Sequence, residues 1–129
     1  MTPDTSVLVR LLVEDDPVQS PAARRALGQA ALIAITVLAL CEVAWVLRSA
    51  YGVPPPEIAQ ALRTLLAAGD VRADRAIVDA GLAVLDAGGD FSDGAIAAAG
   101  LALGGEQFVT FDRRAADLVE RIGLRVSLL

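Results

Sequence analysis

"AALIAITVLALCEVAWVL", residues 30–47, is the stretch on which the fold turns. As one apolar helix it is just long enough to cross a bilayer, and otherwise it is a strand followed by a helix. Thr36 interrupts the run, Glu42 lies in its second half and Arg48 follows at once. Charge at membrane depth is costly, so these residues favour a buried strand running into a buried helix. "ALIAI", residues 31–35, is continuously apolar with β-branched members, which suits a parallel strand covered on both faces. Thr36 then caps a helix from Val37 to about Ala50, which Gly52 and the prolines of "YGVPPP" stop.

Working outward, the same alternation recurs. Residues 1–3 precede Asp4 as a very short first strand, and residues 5–12 form a helix capped by Asp4 or Thr5. "EDDPVQSPAARRALGQ" supplies a turn and a helix, with Ser20 as cap and Pro21 at the first helical position. Residues 57–68 read as a helix ended by Gly69, and "DVRAD" as a short strand. "RAIVDAGLAVLDAG" places Ile77, Gly81, Leu82 and Leu85 at helical spacing. Ser92 caps a helix from Asp93 to Leu103, "QFVTF" is a strand, 113–121 a helix and "LRVSLL" a last strand. Strands alternating with helices predict a three-layer α/β/α domain with a mainly parallel central sheet, spanning residues 1–129 as one unit.

Composition narrows the chemistry. A hydrophobic fraction of 55% excludes disorder as the main state and hints that a partner covers some apolar surface. The N-terminus "MTPDTS" carries no secretory leader pattern, and Cys41 is a lone cysteine in an apolar helix, so a cytoplasmic protein without a disulfide is expected. Histidine and lysine are both absent. Imidazole relays and zinc sites of His or Cys are thereby excluded, as are a Gly-rich phosphate loop ending in Lys and a receiver domain's phosphate-contacting lysine. The net charge of -5 argues against a generic polycation that coats nucleic acid. Carboxylates, arginines and hydroxyls remain to do any chemistry.

In a parallel α/β fold, ligands gather beyond the carboxyl ends of the strands. Asp4 directly follows the first strand, and Asp112, in "VTFDRR", follows the "QFVTF" strand. Glu42 lies in a helix of Val37, Leu40, Val43 and Trp45, so it faces a cleft, a cation, a wet helix edge or Arg48. "GGDFSDGAIAAAG" adds Asp93 in the first turn of a helix and Asp90 as an outer or capping residue. Carboxylates that converge repel one another unless a cation intervenes, and an all-oxygen set suits Mg²⁺ or Mn²⁺. Magnesium bound this way is usually completed by substrate phosphate, which points to phosphoryl transfer. Arg10, Arg113 and Arg114 stand near enough in sequence to contact phosphate oxygens.

The ordered set "DTSVLVRLLVEDDP", "ITVLALCEVAWVLRSAYG", "DFSDGAIAAAG" and "VTFDRRAADL" resembles the PIN-domain ribonucleases, and among them the VapC toxins of bacterial toxin–antitoxin pairs. The likeness covers nearly the whole chain. It aligns Asp4, Glu42, Asp93 and Asp112 with the family's acids, and so implies that they bind one or two Mg²⁺ or Mn²⁺ ions and hydrolyse RNA phosphodiesters in line. It further implies a homodimer and a cognate VapB-type antitoxin, with the helices around 37–50 and 57–68 as candidate partner surfaces. Ser6 stands where family members commonly carry Asn, and Pro3 removes an amide from the first strand. Ser6, Thr5 and Thr110 can orient neighbouring carboxylates. Other readings of the same residues are a different Mg²⁺-dependent phosphoesterase, a structure-specific DNA nuclease, or a binding protein that keeps the fold and has lost turnover.

Overall fold

A computed structural model describes residues 1–129. Its strands are short and parallel: β1 (Ile33–Ala34) beside β2 (Val71–Arg72), and β3 (Phe108–Thr110) beside β4 (Val126–Leu128). Around them run α1 (Thr5–Leu12), α2 (Gln19–Gln29), α3 (Val37–Ser49), α4 (Pro55–Ala67), α5 (Arg75–Asp86), α6 (Phe91–Ala102) and α7 (Arg113–Arg121). The α/β class with parallel strands is as expected. The ladder itself is divided into two two-stranded pairs.

Residues 1–3 explain part of that division. Met1 N donates to Leu32 O at 2.6 Å and Ala34 N donates to Met1 O at 2.8 Å, so the N-terminal segment lies along β1 on the side away from β2. In a parallel ladder the next donor would be the amide of residue 3. Pro3 has none, so the expected first strand stops after one bridging residue.

Helix starts follow local chemistry. Thr36 caps α3 by accepting from Ala39 N at 3.1 Å, and Asp74 caps α5. Two expected caps are replaced. Asp16, not Ser20, accepts from Val18 N and Gln19 N ahead of α2, because a carboxylate two or three residues upstream reaches both free amides. Ser20 is instead buried inside the first turn with its hydroxyl unpartnered. Likewise α6 begins at Phe91, so Ser92 lies within the first turn and Asp90 occupies the cap position without a side-chain cap bond.

The main core joins Leu8 of α1, Leu40 and Val43 of α3, Ile58 and Leu62 of α4 and Val78 of α5, all with no exposed surface. Each such side chain contributes about 1.5–3 kcal/mol by leaving water. A smaller cluster of Val84, Ala97, Leu118 and Val119 seats α7 beneath β3 and β4. The α5–α6 pair links the two, and it closes through missing side chains. A Cβ on Gly94 would stand 2.3 Å from Ala80 O, and one on Gly81 would stand 2.4 Å from the Phe91 ring. This close approach fixes the height of α6 and therefore of Asp93 in its first turn. No helix is long and apolar enough to cross a membrane.

Candidate active site

Asp4 and Asp112 are both N-caps of the helix that follows a strand-like segment. The Asp4 Oδ1 accepts from Ser6 Oγ at 2.7 Å and from Val7 N at 3.2 Å, and its other oxygen has no partner. The Asp112 Oδ1 accepts from Arg114 N at 2.9 Å and Ala115 N at 3.1 Å, again leaving the second oxygen free. Capping thus pins each carboxylate while presenting one oxygen to solvent. Thr110 steadies the turn by accepting from Asp112 N at 3.0 Å, so it holds the backbone and not the carboxylate.

Glu42 is exposed on α3 and is joined to the first turn of α1, its Oε2 accepting from Thr5 Oγ1 at 2.5 Å across 37 residues of sequence. Arg48 does not reach it, because its guanidinium is ion-paired with Asp90. Asp4, Thr5, Thr36 and Glu42 share the wall of a cavity of about 260 Å³.

Asp93 is half-buried in the first turn of α6 and accepts no hydrogen bond. Burial first, then the charges of Asp90 and Asp112, raise its pKa above the usual carboxylate value. Asp4 moves the other way, held low by the Ser6 hydroxyl and the Val7 amide. Asp4 and Glu42 thus line one cavity, with Thr5 donating to Glu42, and Asp93 feels the charges of Asp90 and Asp112. No three Asp, Glu or Cys side chains stand together closely enough to hold a metal ion.

The arginines divide as well. Arg10 donates through Nε to Gln19 at 2.7 Å and through Nη1 to Asp15 at 2.8 Å, so most of its fork is engaged within the protein. Arg114 donates to Gly88 O at 2.8 Å and braces the turn before α6. Arg113 is exposed and makes no hydrogen bond or ion pair, which leaves it the free cation beside Asp112. Cys41 is half-buried, and burial followed by the Glu42 charge pushes its thiol up, which favours the protonated, weakly nucleophilic form.

The model of the PIN domain matches residues 1–120. The chain belongs to the PIN-domain family. No curated protein matches it significantly. The matched span contains Asp4, Glu42, Asp93 and Asp112. The acids of this PIN domain, with the Thr5 and Ser6 hydroxyls, offer hard oxygen donors of the kind that suits Mg²⁺ or Mn²⁺. The absence of a cluster of three fits less well, since a cation shared by these acids requires them to stand closer together.

Sequence reasoning missed the two cavities that meet at Asp4 and the engagement of Arg10. Arg10 also donates to Tyr51, a partner 41 residues away that no local pattern points to.

Proposed function

We propose that this PIN-domain protein is a divalent-cation-dependent endoribonuclease, acting as a VapC-type toxin restrained by a VapB-type antitoxin. The observation that carries this reading is the joining of Asp4 and Glu42 across one cavity. Each is fixed by a hydroxyl from α1, and each keeps an oxygen without a donor. Asp93 and Asp112 add two further acids, of which Asp93 accepts no hydrogen bond. Bound among these acids, Mg²⁺ or Mn²⁺ would supply a Lewis acid for the phosphodiester and a more acidic attacking water.

The chain's own residues set the rest. Ser6 and Thr5 orient Asp4 and Glu42. The cap amides orient Asp112 so that its free oxygen faces outward. Arg113 neutralises nonbridging phosphate oxygens as charge grows there. The proposed homodimer or antitoxin contact uses α3, where Leu38 is 80% and Trp45 70% exposed. The buried apolar residues of α4, by contrast, lie in the core.

A second reading is favoured by one specific observation. Because no three acids stand within coordinating reach, the geometry as it stands fits better a protein of the same fold that binds without turnover, or a different phosphoesterase. Purified total RNA incubated with Mg²⁺, Mn²⁺ or EDTA separates them, using wild type and a folded Asp93→Asn variant. Discrete metal-dependent fragments lost in the variant support the ribonuclease. Intact RNA with cleaved DNA flaps supports the phosphoesterase, and intact substrates throughout support binding alone.

A further inference from the structure

We infer that the cleft between α1 and α2 is a nucleobase subsite of the proposed RNA site and that it selects guanine; this rests on the nuclease reading above. The cleft has a volume of about 680 Å³, within the ~300–1,000 Å³ range of small-molecule sites. It shares Thr2, Pro3 and Asp4 with the cavity that Glu42 lines, so the two cavities adjoin at Asp4. Pro3, Val7, Ala22 and Ala26 give it flat, small apolar walls that admit a planar ring. Arg10 lies six positions along α1 from Asp4, about 9 Å at 1.5 Å per residue, and Gln19 faces the same cleft.

The end of the cleft formed by Arg10 and Gln19 presents donors. Gln19 Oε1 accepts from Arg10 Nε, Asp15 Oδ1 accepts from Arg10 Nη1, and Asp15 Oδ2 accepts from Tyr51 OH. These bonds use the acceptors of the group and hold Arg10 in place. At this end Arg10 Nη2 and Gln19 Nε2 remain unpartnered, two donors on residues lining the cleft, while the unpartnered oxygen of Asp4, an acceptor, belongs to its other end. Guanine presents adjacent acceptors, O6 and N7, whereas adenine and cytosine each place an amino donor in the corresponding position. The wrong base therefore sets donor against donor, which rejects it. A bare anion would satisfy the donors and leave the apolar walls wet.

The test is fluorescence anisotropy with short RNAs in EDTA, so that binding is read without cleavage. Each RNA carries one guanine, or adenine or 7-deazaguanine in its place. Wild type should bind the guanine RNA at least about fivefold tighter than either substitute. Gln19→Ala should reduce that preference below about twofold, and Ala26→Leu, which fills the cleft, should weaken all three; thermal melts check that both variants fold. Guanosine 5′-monophosphate should displace the RNA at concentrations where inorganic phosphate does not.

Equal affinity for the three RNAs, a preference that survives Gln19→Ala, or displacement by phosphate alone would overturn the subsite. If RNA is still cleaved in Mg²⁺ in any of those cases, the nuclease reading stands without it. Guanine-selective binding with no cleavage keeps the subsite and removes turnover. Failure to bind any RNA overturns both, and points to a protein segment in the cleft.

Discussion

Replacing Asp93 by Asn should make the metal-free protein more stable. Its carboxylate is half-buried, receives no hydrogen bond and faces the charges of Asp90 and Asp112. Discounted for the solvent that reaches it, each like-charge contact costs about 0.3–0.5 kcal/mol, and partial burial brings the whole to about 1 kcal/mol. At about 2.1 cal/mol/K per residue, a chain of 129 residues has an unfolding entropy near 0.27 kcal/mol/K, so the gain is about 4 °C in Tm. The sign with pH is fixed by linkage. A carboxyl whose folded pKa lies above its unfolded value carries no penalty while both states are protonated, and the full penalty above the folded pKa. Differential scanning calorimetry in EDTA should therefore show the variant ahead at pH 7 and level with wild type near pH 3. Adding Mn²⁺ should raise wild type and not the variant, reversing their order. A variant less stable at pH 7, or a gain that does not change with pH, would refute the reasoning.

Asp4 should behave oppositely. Its lowered pKa contributes stability above the ordinary carboxylate range and loses it as pH falls through the folded value, and Ser6→Ala should move the Asp4 titration upward when followed by NMR. Gly94→Ala forces a methyl against the Ala80 carbonyl and should cost about 1–3 kcal/mol, seen as a lower denaturant midpoint with an unchanged slope. Asp112→Ala leaves the amides of Arg114 and Ala115 unpaired and should cost about 1 kcal/mol, whereas Asp112→Asn, which can still cap, should cost a fraction of that in the same chemical unfolding assay.

Much of the fold could be read from periodicity. The run at 31–35 followed by Thr36 marked a strand and a capped helix, and the structure has both, though the ladder is only Ile33–Ala34. Ladder length is a pairing property, set here by what lies beside β1, and residues 1–3 offer one donor before Pro3. Caps were less legible, because Asp16 and Ser20 both satisfy the cap rule and only the backbone path decides between them. At the site, local spacing showed that Asp4 and Asp112 follow strand-like segments, but not that both would serve as caps with one free oxygen each. That no three acids cluster was invisible, since it depends on how the helices that carry them stand relative to one another. The Arg10 network was hidden for the same reason, as Tyr51 arrives from the far end of α3.

The central proposal is that Asp4, Glu42, Asp93 and Asp112 bind a divalent cation at one shared site. Mn²⁺ binding followed by electron paramagnetic resonance, on wild type and on Asp4→Asn, Glu42→Gln, Asp93→Asn and Asp112→Asn, tests it most directly. The account predicts saturable binding that each single substitution weakens, because every carboxylate contributes to the same site. Binding that is absent, or that any one of the four substitutions leaves untouched, would contradict it.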